Sequence, residues 1–180
     1  IEDNSVQKQL QEWYPDFPGM SLSEANQKAS EYESLVDELE GDPYRGKKLY
    51  REHCGRCHRL FDDGGSIGPD LTGYQRDQVR TLLRNIIAPS LEIREGYETV
   101  SILLESGTLL TGFVETESET EVVLRSTDGQ SVTIPIEEIE SRKKQAASLM
   151  PDRIFEGLEP QQISDLLSYL RSTQPLNDGT

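Results

Sequence analysis

A chain of 180 residues is long enough to bury a core and to form one or two domains. Its 33 Asp and Glu outnumber 18 Lys and Arg, and the net charge of −15 excludes a general affinity for nucleic acid phosphates. Only 34% of residues are apolar, mean hydropathy is −0.62, and no apolar run approaches a membrane span. The chain starts at Ile1, as expected of a processed or excised piece, so the lack of a leader carries no information.

Charge is unevenly spread. Residues 1–42 carry 11 acids and 2 bases, residues 96–147 carry 10 and 4, and residues 148–180 carry 5 and 2. Residues 43–95 reverse this with 7 acids and 10 bases, and are the one net basic segment. Acidic flanks serve solubility; a charged surface also steers a partner.

In residues 1–20 the cluster Trp13-Tyr14-Pro15-Asp16-Phe17-Pro18-Gly19 resists helix and strand alike and reads as an extended aromatic arm. Ser21 and Glu24 fit a capping box, and Leu22, Ala25, Ala29, Tyr32, Leu35 and Leu39 recur at helical spacing up to Gly41. Asp42-Pro43 restarts a helix as N-cap and first residue. That helix runs through Gly46, Leu49 and Tyr50 to His53, and delivers Cys54 at its end.

Cys54-Gly55-Arg56-Cys57-His58 is the pattern of c-type haem attachment, two thiols that form thioethers followed by an imidazole that binds iron. The chain's two cysteines and two histidines all fall between His53 and His58, too bunched to surround a zinc ion. A thioredoxin-like pair should follow a strand and open a helix, whereas this one closes a helix and enters a Gly-rich loop. A short-range disulfide is the remaining alternative.

After His58, Asp62-Asp63-Gly64-Gly65 reads as a loop, followed by Gly68-Pro69-Asp70-Leu71 and a helix over 76–88. From Tyr97 the period changes to two. Strands are expected through Val100–Leu104, Thr108–Thr116 with a bulge or bend at Gly112, Glu121–Arg125 and Val132–Ile136. Turns at Ser106-Gly107 and Thr127-Asp128-Gly129 punctuate them. Four short strands make a small bent antiparallel sheet or partial SH3-like or Sm-like barrel. Helical character is expected again over Glu137–Ala147, then a Met150-Pro151 loop, a last helix opened by Pro160, and a frayed tail over Asn177–Thr180.

A haem on Cys54 and Cys57 takes His58 as its proximal ligand, and the ring needs a carbonyl acceptor for its other N–H, which the Gly68-Pro69 loop can supply. For the sixth position, His53 is adjacent to Cys54 and cannot readily reach the opposite face. Met150, ahead of a proline in a loop, is the preferred ligand; Met20 is the fallback, and Lys47, Lys48, Lys143 and Lys144 are conceivable. A thioether opposite imidazole raises the potential and leaves no position for a substrate.

Gly46 and Tyr50, the CGRCH stretch, Gly68-Pro69-Asp70-Leu71-Thr72-Gly73, Met150-Pro151 and Leu167-Ser168-Tyr169-Leu170 together resemble a class I cytochrome c. The resemblance implies that the first and last helices of that fold cross at Gly46, Tyr50 and Tyr169. It also implies that Pro69 gives its carbonyl to the proximal histidine. With Ile87-Ala88-Pro89-Ser90 and the β-rich block, the chain is similar to a planctomycete and verrucomicrobial family of haem-binding domains. Those domains usually close large secreted dehydrogenase-like or propeller-containing proteins.

The organisation expected is an arm and amphipathic helix over 1–41, a haem domain over 42–96 and 141–180, and an inserted β-subdomain over 97–140. The fold expected is a mainly α cytochrome c fold with an inserted sheet, α+β overall. The function expected is single-electron transfer by one covalent haem c, outside the cytoplasmic membrane, between a redox protein or catalytic domain and an acceptor. An open sixth position would instead make a gas sensor or peroxidase-like enzyme, and a third reading makes the β-insertion a protein-docking module.

Overall fold

The computed structural model describes residues 20–177; the aromatic arm expected before Gly19 and the last three residues of the expected tail lie outside that range. The described chain divides into two compact units, residues 93–149 and a unit assembled from 20–92 and 150–177, so the first interrupts the second. The fold is α+β, with a mainly α unit interrupted by an antiparallel sheet.

The interrupted unit holds four helices: α1 (Leu22–Val36), α2 (Pro43–His53), α3 (Val79–Ile87) and α4 (Pro160–Leu170). Ser21 caps α1 in a reciprocal capping box with Glu24. This helix ends at Val36, short of the expected Gly41. Its last turn has no basic residue, and Asp37, Glu38 and Glu40 follow where the helix dipole disfavours acids. Asp42 caps α2 by accepting from the amides of Tyr44 and Arg45, with Pro43 as the first helical residue. α3 starts at Val79, three residues later than expected, because Arg76 is committed elsewhere: its guanidinium donates to the carbonyls of Leu170 and Ser172.

Helices α2 and α4 cross where side chains are absent. A Cβ on Gly46 would lie 1.9 Å from the Asp165 carbonyl oxygen, and one on Gly41 would lie 2.4 Å from that of Ser164. Tyr50 and Tyr169, both fully buried, pack as a tilted pair beside the crossing, with ring centroids 5.2 Å apart and planes at 58°. Leu60, Leu83, Ile86, Phe155, Ile163, Leu166 and Leu170 complete the core, to which α1 adds Ala25 and Ala29.

Asp165 is the polar counterpart of this crossing. Its carboxylate, 4% exposed, accepts from Arg45 Nε at 2.7 Å and Nη2 at 2.9 Å, from the Asp42 amide at 2.8 Å and from Gln161 at 3.0 Å. The hydrogen bonds from Arg45 outweigh burial and hold its pKa at about 2.

The interrupting unit is a five-stranded antiparallel sheet: β3 (Thr99–Leu104), β4 (Leu109–Glu117), β5 (Glu121–Ser126), β6 (Ser131–Pro135) and β7 (Ile139–Lys144). A further two-residue pair, β1 (Arg59–Leu60) and β2 (Asp63–Gly64), belongs to the helical unit, where the sequence reads as plain loop. The sheet order is β6-β5-β4-β3-β7, so the last strand returns beside the first and β6 and β7 are its edges. Val100, Ile102, Val122, Leu124 and Ile134 form its separate core.

Two sequence expectations fail here. Residues 137–147 are not helical. A 3₁₀ turn over Ile136–Glu138 leads into β7, whose residues alternate between half-buried and exposed and pair with β3. Gly112 is not the bulge; it pairs regularly with Val100 and Ser126, and the register slips between Val114 and Thr116 instead. Glycine is needed at 112 because a Cβ would lie 2.3 Å from the Arg125 carbonyl oxygen of the neighbouring strand.

Asp165→Asn is expected to lower stability by about 2 kcal/mol at pH 7, since charge-assisted hydrogen bonds are lost from a buried group. The wild-type pKa lies below the ~3.9 of an unfolded carboxyl, so its contribution is complete above about pH 4 and fades towards pH 2. Denaturant titrations across that window should show the wild type losing more stability than the variant.

Candidate functional site

The site is built on the end of α2. Cys54 leaves helical geometry as the C-cap, and the amides of Cys54 and Gly55 both donate to the Tyr50 carbonyl, at 2.8 and 2.6 Å. The amides of Cys57 and His58 then return to the Cys54 carbonyl, at 3.0 and 2.9 Å. Those bonds wind residues 54–58 into one tight turn. Both cysteines are free thiols, so the disulfide alternative is not what the turn holds.

Burial, with the neighbouring Cys57 adding to it, pushes the Cys54 thiol up to about 12. A nucleophilic redox pair requires the opposite shift, towards the thiolate at neutral pH. Among the described residues, no group of three or more His, Cys, Asp or Glu side chains is placed to hold a metal ion.

The turn is sealed by the loop that follows. Gly65 and Gly68 amides donate to the Gly55 and Cys57 carbonyls, each at 2.8 Å, and the Tyr50 hydroxyl donates to the His58 carbonyl at 2.6 Å. Gly64 adopts φ +112, and a Cβ there would lie 2.0 Å from the His58 carbonyl oxygen. Gly68 lies against the imidazole itself: a Cβ would sit 2.7 Å from Cε1.

His58 Nδ1 lies 2.9 Å from the Pro69 carbonyl oxygen. A carbonyl only accepts, so Nδ1 carries the proton and Nε2 presents its lone pair. Ring position, tautomer and the nitrogen left basic are therefore set by backbone. Two thiols in one turn and an imidazole fixed with one basic nitrogen form the donor set that covalent haem requires.

Residues 44–101 match the family model for cytochrome c. The match takes in α2, the turn, the glycine loop and α3, and it stops three residues into the first long strand, where the sheet interrupts the pattern. Comparison with curated proteins returns no match. Over those residues the helical unit is similar to a cytochrome c domain, a family of haem c-binding electron-transfer modules whose cofactor is covalent haem c.

The other ligands considered from sequence are scattered. Met150 opens the second part of the helical unit, and both it and Met20 pack half-buried against that unit's core. His53 is exposed at the end of α2. Lys47 is buried with Nζ 3.5 Å from the Leu176 carbonyl and 3.9 Å from Asp63, Lys48 is exposed, and Lys143 and Lys144 stand on β7.

Sequence reasoning missed Arg76. Its two terminal nitrogens bind the carbonyls of Leu170, Ser172 and Thr72, its plane lies 5.4 Å from the Phe61 ring centroid, and its buried Nε has no partner among the described residues. Burial pulls this guanidinium below its ordinary pKa. An orphaned N–H there is a ready donor for an anionic group. The available signal was an arginine closing the Gly68–Gly73 loop with no acid nearby at helical spacing.

Gly68→Ala should displace the His58 ring from the Pro69 carbonyl. Overpacking of this size costs about 2 kcal/mol. Nitrogen NMR should show the Nδ1–H signal exchanging faster, whereas an unmoved, protected signal would contradict the contact.

Proposed function

We propose that the helical unit holds one haem through thioethers to Cys54 and Cys57, with His58 and Met150 as the residues that would bind its iron, and passes single electrons. The observation that carries this reading is the His58–Pro69 bond beside Gly68, which leaves Nε2 as the ring's one basic nitrogen. Bound haem supplies an iron that changes by one electron. The chain's own residues hold it, orient the imidazole and exclude water. With its Nδ1–H held by the Pro69 carbonyl, His58 would offer Nε2 as a more basic donor to that iron.

Met150 supports the reading by its position ahead of Pro151, in a segment without helix or strand that packs on the same core as Tyr50 and Leu60. Arg76 Nε is the donor we assign to a haem carboxylate. The sheet between α3 and Met150 supports kinship with the planctomycete and verrucomicrobial haem-binding family. On that kinship, the unit serves an extracytoplasmic dehydrogenase or similar catalytic domain as electron acceptor, and delivers to a second redox protein. No described helix is long and apolar enough to cross a membrane.

Optical spectra of the purified protein, ferric and ferrous, with Met150→Ala alongside, test the assignment. The ferric wild type is expected to show the weak near-infrared band of sulfur-to-iron ligation, and the variant to lose it. A high-spin wild type that binds carbon monoxide would replace electron transfer with sensing or peroxidase chemistry. Protein without covalent haem would end the reading altogether.

A further inference from the structure

Helix α1 lies outside the cytochrome c match, yet it is built into the core of the helical unit. Ala25 and Ala29 are fully buried, and such small residues allow close approach. Glu33 accepts from Arg80 on α3, at 2.8 Å to Nε and 2.6 Å to Nη2. On the same face, Tyr32 meets Phe155 edge-on, with centroids 5.1 Å apart and planes at 61°.

Phe155 is the anchor of the segment that carries Met150. It is 4% exposed in a stretch without regular structure between β7 and α4. Two turn bonds surround it, from the Glu156 amide to Arg153 and from the Leu158 amide to Phe155. Ile154 and Leu158 pack on the same core. The α4 end of the segment is fixed by the Glu159–Gln162 capping box. Between that box and Met150, the side chain held by a neighbouring aromatic is Phe155.

We infer that α1 is a clamp on the Met150 segment, and that Tyr32, through Phe155, is the positioning residue that keeps the thioether at the iron. The inference rests on the proposal that Met150 is the sixth ligand. A methionine–iron bond lasts only while the chain holds the sulfur in place, and a segment without a hydrogen-bonded ladder opens locally at low cost. An edge-to-face aromatic contact with buried rings raises that cost. Because α1 is tied to α3 by Glu33–Arg80, it offers Phe155 a fixed surface.

The test is the rate at which imidazole binds the ferric holoprotein, since this probe enters when the methionine leaves. Tyr32→Ala should bind imidazole about tenfold faster, the factor that loss of such an aromatic contact represents. Amide exchange over 153–158 should accelerate alongside, with haem still covalently attached. Tyr32→Phe, which keeps the ring, should stay at the wild-type rate. Glu33→Gln, a milder surface change, should move both readouts in the same direction and by less, and serves if Tyr32→Ala does not fold. A variant that melts earlier but keeps wild-type imidazole binding and exchange would overturn the clamp and leave α1 as packing. A near-infrared band kept by Met150→Ala and lost in Met20→Ala would instead refute the ligation proposal, and the clamp with it.

Discussion

The crossing of α2 and α4 at Gly46 is the constraint on which the helical unit depends. The Asp165 carbonyl occupies the place where any other residue at 46 would carry its Cβ. That approach lets Tyr50 pack at a tilt against Tyr169, and the buried Tyr50 then turns its hydroxyl to the His58 carbonyl. A helix-packing contact thus reaches the Cys54–His58 turn through one phenol. Desolvation, the largest effect, raises the Tyr50 hydroxyl far above its ordinary range, so it stays a donor.

Apart from the Tyr50 hydroxyl, the Cys54–His58 turn is held by main chain: the Tyr50, Cys54, Gly55 and Cys57 carbonyls accept from its own and the following loop's amides, and the Pro69 carbonyl faces the imidazole. Such a scaffold depends on one side-chain rotamer, that of Tyr50, and it places glycines at 64 and 68 where main chain or ring must come close. The charged contacts sit further out, at Arg45–Asp165 and Arg51–Asp63, where they join segments distant in sequence.

Much of this was legible in the sequence because local chemistry and tertiary need coincide there. Asp42-Pro43 marks a helix start by capping alone, and two cysteines with an adjacent histidine admit few uses. The histidine's acceptor could be named because the ring needs a carbonyl and the Gly68-Pro69 loop was at hand. Strand β7 was illegible for the opposite reason. Glu140, Arg142, Lys143 and Lys144 mask a period-two pattern with helix-forming residues, and partnership with β3 overrides that preference. Those charges suit an exposed sheet edge, which they guard against pairing with other chains. Arg76 escaped notice because its partners, the carbonyls of Leu170 and Ser172, lie about a hundred residues away and leave no trace in side-chain type.

The pairing of β3 with β7 has a topological consequence. The Gln145 amide donates to the Thr99 carbonyl at 2.8 Å, so the sheet's entrance and exit lie side by side. Once folded, the sheet joins residues 98 and 146 as a short tether would, despite its length in residues. The entropy of joining α2 to α4 then falls towards that of a chain without the sheet, since loop closure depends on the distance the connection leaves free.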